Sequence, residues 1–408
     1  MSNTQKKNVP ELRFPGFEGE WEEKRFADFT KINQGLQIAI NERKTEYSPE
    51  LYFYITNEFL RPNSQTKYFI ENPPQSVIAN KEDILMTRTG NTGKVVTNVF
   101  GAFHNNFFKI KFDKNLYDRL FLVEVLNSSK IQNKILSLAG SSTIPDLNHS
   151  DFYSISSSYP LLREQQKIGQ FFSKLDRQIE LQEQKLELLQ QQKKGYMQKI
   201  FSQELRFKDE NGEDYPDWKE KKLGDITEQS MYGIGASATR FDSKNIYIYI
   251  RITDIDEKSR KLNYQNLTTP DELNNKYKLK RNDILFARTG ASTGKSYIHK
   301  EEKDIYNYYF AGFLIKFEID EQNNPLFIYQ FTLTSKYNKW VKVMSVRSGQ
   351  PGINSEEYAK LPLVLPNKLE QQKIAEFLDR FDQQIELEKQ KIEILQQQKK
   401  GLLQSMFI

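Results

Sequence analysis

The stretch "ARTGASTGKS" (287–296) ends in Gly-Lys-Ser, the residues that close a phosphate-binding loop. Such a loop needs four residues between its two glycines, because that length lets the backbone amides surround a phosphate at a helix N-terminus. Here Gly290 and Gly294 enclose only three residues. A related stretch, "TRTGNTGKV" (87–95), encloses two, and no hydroxyl side chain follows its lysine. A loop whose length and closing residue differ between two copies does not predict an ATP site.

Other stretches that resemble catalytic motifs lack essential residues. "ENPPQS" (71–76) resembles the Asn-Pro-Pro-aromatic motif of DNA amino-methyltransferases, but Gln75 stands where an aromatic ring would stack on an extruded base. In "YPDWKEKK" (215–222), Asp217 and Glu220 are too close in sequence to flank a metal ion from adjacent strands. The chain has no cysteine, and its three histidines show no metal-ligand spacing. We therefore predict no catalytic residue, no metal site and no cofactor bound by this chain.

Length and composition set broad limits. A chain of 408 residues is long enough for two or three domains with their own cores. It contains no apolar run of about 18 residues, and its first residues lack the apolar core of a signal peptide. The net charge of +5 permits nucleic-acid binding without requiring it. We expect a cytoplasmic protein.

The sequence contains an internal repeat. The segment "EQQKIGQFFSKLDRQIELQEQKLELLQQQKKG" (164–195) returns 206 residues later, at 370–401, with most positions identical. Directly upstream, 144–160 aligns with 350–366 at the same shift, and "ILMTRTGNTGK" matches "ILFARTGASTGK" with one extra residue in the second copy. Such self-similarity predicts repeated structural units. Globular and helical parts therefore alternate, with predicted boundaries at 1–160, 161–203, 204–366 and 367–408.

The two helical parts carry the pattern of a coiled coil. Apolar residues recur alternately every four and three residues, which predicts two helices, each about 60 Å long. A helix with one such stripe cannot bury it alone, so we expect the two copies to pair with each other, antiparallel, within the chain. The alternative is that each helix pairs with another subunit. The predicted seam residues are Ile168, Phe172, Leu175, Ile179, Leu186, Leu189, Ile374, Leu378, Phe381, Ile385, Ile392 and Leu395.

The globular parts have the pattern of mixed α/β domains. "ELYFYI" (50–55) and "NIYIYIRI" (245–252) are β-branched and aromatic runs typical of strands. "FFKIKF" (107–112) and "GFLIKFEI" (312–319) alternate apolar and charged residues, as half-buried strands do. The predicted fold class is α/β (mixed α+β), with two copies of a globular domain separated by the helix pair in a pseudo-twofold repeat. Because the copies diverge between their shared landmarks, we expect one scaffold with two different targets.

This layout resembles the DNA-specificity subunit of type I restriction-modification systems over essentially the whole chain. The resemblance rests on the "EQQKI" repeats, the paired "ILMTRTG" and "ILFARTG", the "YIRITDI" segment (249–255) and "RSGQPGIN" (347–354). It implies two target-recognition domains that each read one half of a bipartite, asymmetric site in double-stranded DNA. It also implies that the helices set the spacer and dock two modification subunits. S-adenosylmethionine, ATP and magnesium would then belong to the modification and restriction subunits.

DNA reading needs cations for phosphates and planar, bidentate donors for base edges. Candidates for contact with the DNA backbone lie in the glycine-rich turns: Arg88, Thr89, Lys94, Arg288, Thr289 and Lys295. Because an arginine persists at this position in both copies while the targets should differ, we expect backbone contact or a structural role rather than base reading. The alternative is an ion pair within the domain.

Base reading is expected from loops that differ between the copies, namely 33–44 against 231–241 and 139–145 against 346–352. The candidates, together with Arg251 of the "YIRITDI" segment, are Gln34, Gln37, Asn41, Arg43, Tyr232, Arg240, Arg347 and Gln350. Alternatives from other function classes stay open at this point. One is a structural coiled-coil scaffold that ignores DNA, and the other is an enzyme, either a degenerate DNA methyltransferase or an ATPase.

Overall fold

A computed structural model describes residues 8–61, 64–140, 143–241, 246–300 and 305–408. The start of the first predicted domain (1–7), positions 141–142 of the predicted reading loop 139–145, and position 245 lie outside these ranges. The chain forms two compact units: Met1–Gln184 with Glu388–Ile408, hereafter unit 1, and Lys185–Leu387, hereafter unit 2. The division falls within both long helices.

Unit 1 contains the first globular part. Its strands are β1 (Glu22–Arg25), β2 (Thr30–Gln34), β3 (Tyr52–Ile55), β4 (Tyr68–Ile70), β5 (Ile78–Ala79), β6 (Ile84–Thr87), β7 (Val95–Val96), β8 (Gly101–Phe103), β9 (Phe107–Phe112) and β10 (Ser156–Tyr159). Its helices are α1 (Phe26–Phe29), α2 (Arg119–Asn127), α3 (Ser129–Ala139) and α4 (His149–Ser154), followed by the first long helix, α5 (Leu162–Phe201).

Unit 2 contains the second globular part. Its strands are β11 (Lys219–Lys222), β12 (Thr227–Tyr232), β13 (Ala238–Arg240), β14 (Tyr247–Ile250), β15 (Thr268–Pro270), β16 (Ile284–Ala287), β17 (Ser296–Ile298), β18 (Asn307–Phe310), β19 (Leu314–Ile319) and β20 (Pro362–Leu365). Its helices are α6 (Pro325–Phe331), α7 (Ser335–Met344) and α8 (Ser355–Ala359), followed by the second long helix, α9 (Lys368–Met406).

In the described ranges the units share one sheet and differ in another. The sheet that leads into the glycine-rich turn has the antiparallel order β2-β9-β6-β7 in unit 1 and β12-β19-β16-β17 in unit 2. The second sheet contains the parallel pairs β3-β8 and β14-β18. One edge is strand β5 in unit 1 and the isolated bridge Lys278–Tyr309 in unit 2, and the other edge is strand β13 in unit 2 and the isolated bridge Lys44–Phe69 in unit 1. The predicted mixed α/β fold and its duplication are confirmed. Strand β13 lies in the 231–241 stretch predicted to read bases.

Each unit builds its main core between the shared sheet, the helices and one end of the long helices. In unit 1, Phe108 of β9 belongs to the same cluster as Phe121 of α2 and Phe172 of α5. Equivalent members in unit 2 are Ile315, Phe327 and Leu378. Full burial of each such side chain contributes about 1.5–3 kcal/mol. The core therefore joins each globular part to its end of the helix pair.

The opposite face of the shared sheet is also buried, which the alternating pattern of β9 and β19 does not predict. The Lys109 ammonium donates to the Ile78 carbonyl at 2.6 Å, and Lys316 lies 3.4 Å from Asp283 and 3.1 Å from Glu318. Lys316 and Asp283 are both buried. The second sheet covers this face, so these lysines are paired within the domain instead of reaching solvent.

The two long helices pair within the chain, antiparallel, as expected. In unit 1, Lys399 of α9 bonds Asp176 of α5 at 2.6 Å. In unit 2, Lys193 of α5 bonds Asp382 of α9 at 2.6 Å. These two pairs are equivalent under the 206-residue shift, so the repeat uses the same contact twice. No described helix is both long and apolar enough to cross a membrane.

The predicted seam is enclosed most fully near the helix ends. Seam residues next to the globular parts are buried, whereas most of those farther along each helix are half-buried, since two helices alone cannot surround a stripe. The buried ones are Ile168, Phe172, Ile179, Ile374, Leu378 and Ile392, and the half-buried ones are Leu175, Leu186, Leu189, Phe381, Ile385 and Leu395.

The "EQQKI" motif anchors each long helix to its globular part. Glu164 receives two hydrogen bonds from the Arg13 guanidinium, both at 2.7 Å, and Glu370 receives two from Arg206, at 3.2 and 2.8 Å. The neighbouring glutamine, Gln165 or Gln371, donates to the carbonyl of the proline that precedes the helix, at 2.9 Å in both units. The arginines come from the repeated "LRF", which explains why that short sequence recurs.

We expect Arg206→Ala to lower the free energy of unfolding by about 3–5 kcal/mol, because it leaves the fully buried Glu370 carboxylate without its charged partner. Chemical denaturation of the purified chain measures this effect. Arg25→Ala, which removes a largely exposed pair with Asp28, is the matched control and should change stability by less than about 1 kcal/mol. Equal effects of the two substitutions would show that the anchor does not stabilise the unit.

Candidate nucleic-acid interface

The glycine-rich turn has the same backbone geometry in both units. The Arg88 amide donates to Asn106 O at 2.7 Å, and the Arg88 carbonyl accepts from the Leu147 amide at 2.8 Å. In unit 2 the Arg288 amide donates to Phe313 O at 3.1 Å, and its carbonyl accepts from Ile353 at 2.9 Å. The two arginines therefore start from equivalent positions, and their different neighbours decide where the side chains go.

In unit 1 the arginine is neutralised within the domain. Arg88 Nη2 lies 2.7 Å from Asp146 Oδ2, and Arg88 Nε donates to the Leu147 carbonyl at 3.3 Å. The guanidinium also lies over the Phe108 ring, 5.6 Å from its centroid. The Thr89 hydroxyl bonds the other Asp146 oxygen. Arg88 and Thr89 thus form the internal ion-pair arrangement that the sequence left open as an alternative.

In unit 2 the equivalent arginine stacks on an aromatic ring. The Arg288 guanidinium carbon lies 4.9 Å from the centroid of Tyr232, and Nη1 makes a long contact of 3.5 Å with the Gly312 carbonyl. Thr289 forms its backbone bridge with Gly352, where unit 1 has the Thr89–Asp146 bridge. Among the residues that the structure describes, no carboxylate pairs with Arg288.

The glycine-rich turn uses its amides internally and does not form a phosphate cradle. The Gly290 amide donates to Pro351 O at 2.9 Å, Gly294 to Ala287 O at 3.1 Å, and Lys295 to Ser292 O at 2.9 Å. Gly294 has φ +87°, and a Cβ there would overlap the Val341 side chain of α7. The glycine thus permits close packing of the turn on a helix.

The two lysines that follow the turns differ in accessibility. Lys94 is exposed, and within the described ranges its Nζ makes one long contact, of 3.5 Å, with the Leu60 carbonyl. Lys295 is buried; its Nζ lies 2.6 Å from Glu257 and donates to the Ile255 carbonyl at 3.2 Å. Lys94 is therefore free to meet a phosphate, whereas Lys295 would first have to leave its internal partners.

The base-reading candidates of unit 1 lie at the end of β2 and along the loop that follows it. Asn41 is exposed, and Gln37 is exposed while accepting from the Asn105 side chain at 3.0 Å. Gln34 donates to the Asn105 carbonyl at 3.2 Å. Arg43 donates to the Ile38 carbonyl and lies over the rings of two tyrosines, so it shapes the loop. The structure thus brings Gln34 and Gln37 together beside Asn105.

The unit 2 candidates separate into exposed and internally paired side chains. Arg240 and Gln350 are exposed, and Gln350 lies beside Gly290 in the same turn region as Arg288. Arg251 is held by the buried Asp254 through bonds of 3.0 and 2.8 Å. Arg347 donates to both Glu357 oxygens at 2.6 Å. Arg251 and Arg347 therefore hold their loops in place.

Comparison with known families decides the class of protein. The family model described as "Type I restriction modification DNA specificity domain" matches residues 18–191 and again 215–397. The chain belongs to this family. Its two matched segments coincide with the two copies of the internal repeat, so this is a DNA-specificity subunit of a type I restriction-modification system. The role is one of sequence specificity, not catalysis, and the alternatives of a DNA-ignoring scaffold and a degenerate methyltransferase find no support.

Individual relatives agree with this assignment. The type I restriction enzyme MjaVIII specificity subunit of Methanocaldococcus jannaschii is 26% identical over 417 residues, covering 97% of this chain and 93% of that protein. The HindI specificity subunit of Haemophilus influenzae is 28% identical over 200 residues, covering 47% of this chain and 41% of that protein. A crystal structure of the S subunit from M. genitalium has a TM-score of 0.67 at 17% identity, covering 98% of this chain and 99% of that one, which shows the shared fold.

Two buried histidines of this specificity subunit have lowered pKa values because of their surroundings. Burial lowers the pKa of His299 to about 4, and burial together with the Arg43 charge lowers that of His104 to about 4. Both imidazoles are neutral at neutral pH. Their lowered pKa values contribute to the free energy of unfolding above about pH 6.5, and this contribution is lost as pH falls through about 4. In the described ranges no group of three or more His, Asp or Glu side chains is arranged to hold a metal ion.

Sequence reasoning missed the third member of each helix-pair contact. In unit 1 the buried Glu124 of α2 lies 3.2 Å from Lys399, and in unit 2 Gln330 of α6 donates to Asp382 at 2.9 Å. These positions are also related by the 206-residue shift. The available signal in the sequence was a lysine at a seam position of each helix, because a buried lysine needs polar partners. The contacts tie the long helices to the first helix that follows each shared sheet.

We expect Glu124→Gln to stabilise the chain at pH 8, with a benefit that disappears toward pH 4.5. Burial raises the pKa of Glu124, the nearby Asp176 raises it further, and Lys399 offsets only part of the rise. The stability linked to the protonated form is therefore complete below the ordinary pKa of a glutamate and is lost as pH rises through the folded-state pKa. A glutamine there reproduces the Gln330 arrangement. Thermal unfolding from pH 4.5 to 8 measures the difference.

Asp176→Asn is the matched substitution, because it removes the nearer and more exposed carboxylate partner of Lys399. It should lower stability at pH 8. If Glu124→Gln also lowered stability at pH 8, the buried carboxylate would be contributing more as a partner of Lys399 than it costs to bury.

Proposed function

We propose that this specificity subunit reads a bipartite, asymmetric DNA site, with residues 1–160 and 204–366 each recognising one half. The observation that carries the proposal is the duplicated sheet and turn with different side-chain surroundings in the two units, as in Arg88 with Asp146 against Arg288 with Tyr232. A common scaffold with unlike surfaces is what two different half-sites require. In this proposal, DNA reading and association with the partner subunits take place in the cytoplasm.

The helix pair acts as the spacer in this proposal. Helix α5 is continuous from Leu162 to Phe201 and α9 from Lys368 to Met406, and their reciprocal contacts Asp176–Lys399 and Asp382–Lys193 hold one register. Charged residues at a coiled-coil seam favour one register over its alternatives. A defined register gives a defined length, and a defined length gives a fixed number of base pairs between half-sites.

The same helices present apolar surface that supports docking of two modification subunits. About half of each of four equivalent side chains is exposed, namely Leu181 and Ile394 in unit 1 and Leu188 and Leu387 in unit 2. Under the 206-residue shift Leu181 corresponds to Leu387, and Leu188 to Ile394. Each unit therefore carries one copy of the same apolar patch, which fits one modification subunit per unit.

The chemistry belongs to the partners in this proposal. S-adenosylmethionine would be bound by the modification subunits, and ATP with magnesium by the restriction subunits, while this chain binds none of them. Isothermal titration of the purified chain tests this part: heat of binding with S-adenosylmethionine or ATP would contradict it. Methyl transfer by the chain alone would contradict it more strongly.

Footprinting of the complex with its cognate modification subunit tests DNA reading. Two protected segments with a fixed gap are expected at a specific sequence, and binding should weaken steeply with salt because phosphate contacts release counterions. A complex that assembles but protects no sequence in preference to another would contradict the proposal and favour a scaffold.

A further inference from the structure

We propose that Arg288 reads a guanine in the second half-site, while its counterpart Arg88 is a structural residue of the first domain. This inference rests on the proposed DNA reading and deepens it, because it names one specificity-determining side chain and the base class it selects. The sequence alone argues against base reading by this arginine, since it is present in both copies. In the structure, however, Arg88 and Arg288 have different surroundings.

The two arginines differ because of one residue in the segment that forms a β-bridge with the glycine-rich turn. The bridge partner of Thr89 is Asp146, and the bridge partner of Thr289 is Gly352. Asp146 bonds Arg88 Nη2 at 2.7 Å and so neutralises the arginine of unit 1. Glycine at 352 has no side chain, so no carboxylate in the described part of the chain compensates the charge of the Arg288 guanidinium.

The Arg288 side chain is also oriented by its surroundings. Its guanidinium carbon lies 4.9 Å from the Tyr232 centroid, and the Tyr232 hydroxyl accepts from the Ser355 amide at 3.1 Å, which holds the ring in place. A guanidinium held over an aromatic face loses rotational freedom, and its N–H donors lie in its own plane. Within the described ranges the guanidinium makes one hydrogen bond, a long one of 3.5 Å to the Gly312 carbonyl, and its other donors have no described partner.

The surroundings of Arg288 fit a base edge. A free, in-plane pair of arginine donors matches guanine O6 and N7 in the major groove, the commonest specific protein–DNA contact. Phe313, whose carbonyl accepts from the Arg288 amide, is 62% exposed on the adjacent turn, whereas the equivalent place in unit 1 is taken by Asn106. Gln350, an exposed amide, lies beside the same turn. These side chains form a mixed polar and apolar surface around one oriented cation.

The test is the methylated motif of the complex with Arg288→Lys, read by single-molecule sequencing of methylated DNA. Lysine keeps the charge but lacks the rigid, planar pair of donors that arginine offers, so discrimination at one guanine of the second half-site should fall by about 5- to 150-fold. Gly352→Asp should relax the same position, because it supplies the carboxylate that Asp146 supplies in unit 1. Arg88→Lys is the control and should leave both half-sites unchanged.

Each outcome separates this inference from the proposed function. A wild-type complex without any bipartite motif would overturn the proposed function itself. A wild-type motif that persists unaltered in Arg288→Lys, with affinity reduced equally for all sequences, would show a phosphate contact and overturn the guanine assignment. Thermal unfolding verifies that each variant is folded. Should Gly352→Asp fail to fold, Tyr232→Leu, which removes the stacking ring, must relax the same position, and an unchanged motif would again overturn the inference.

Discussion

Removing one heptad from each long helix, residues 181–187 and 387–393, should shorten the spacer between the two half-sites by about three base pairs. Seven residues of helix span about 10 Å, and each base pair of DNA spans about 3.4 Å. The two segments are equivalent under the 206-residue shift, and a seven-residue deletion keeps the apolar seam in register. Because the deletion also removes Leu181 and Leu387 of the proposed docking patches, the new spacer is read by selecting bound sequences from random duplex DNA with the shortened chain itself, without reliance on methylation.

The matched control is a duplication of the same two heptads, which should lengthen the spacer by about three base pairs. Spacer changes of equal size and opposite direction would show that helix length, and no other part of the chain, determines the spacer. Variants that select DNA with the original spacer would contradict the ruler, because some other part of the chain would then hold the half-sites apart.

Charging the apolar patch of one unit should remove one modification subunit from the complex. Leu181→Glu with Ile394→Glu alters unit 1, and Leu188→Glu with Leu387→Glu alters unit 2. About half of each side chain is still exposed, so its burial on docking contributes about 0.8–1.5 kcal/mol, and each pair of substitutions should weaken docking by about 10- to 100-fold. Native mass spectrometry of the complex counts the modification subunits that remain.

Leu136→Glu serves as the control, since Leu136 is also an exposed leucine of unit 1 but lies on α3 and not on a long helix. It should leave the complex intact. Four substitutions combined should leave the specificity subunit without modification subunits. A complex that keeps both after the combined change would show that docking uses another surface.

The repeat made much of the fold predictable from sequence. Two copies of one helix in one chain favoured pairing with each other, and the contacts Asp176–Lys399 and Asp382–Lys193 confirm that pairing. Anchoring of the helices was less predictable, because Arg13 and Glu164 are far apart in sequence and each looks like an ordinary surface charge. Their pairing depends on the core that brings "LRF" against the helix start.

The alternating pattern of β9 and β19 was misleading for a physical reason. A charged residue at every second position usually marks a solvent-facing strand, yet Lys109 and Lys316 are buried. A second sheet covers them, and internal partners compensate their charge. Alternation of apolar and charged residues indicates that the two faces of a strand differ. It does not indicate whether solvent or another sheet covers the charged face.

The candidate interface shows where local sequence is not sufficient. Arg88 and Arg288 are both followed by Thr-Gly at equivalent places in the repeat, so the motif alone assigns them one role. Their environments differ because of Asp146 and Gly352, which lie more than fifty positions further along the chain. Only the fold brings those residues beside the turn. Lys295 is similar: it looks available next to a glycine-rich loop but is paired with Glu257.

The most direct test of DNA reading by two domains is the methylation motif of the wild-type complex, formed with its cognate modification subunit and sequenced on genomic DNA. We expect modified bases only within one sequence that has two short specific parts and a spacer of constant length. Exchange of residues 204–366 for the matching part of another family member should replace one specific part and keep the other. A single contiguous motif, or modification without sequence preference, would contradict two-domain reading.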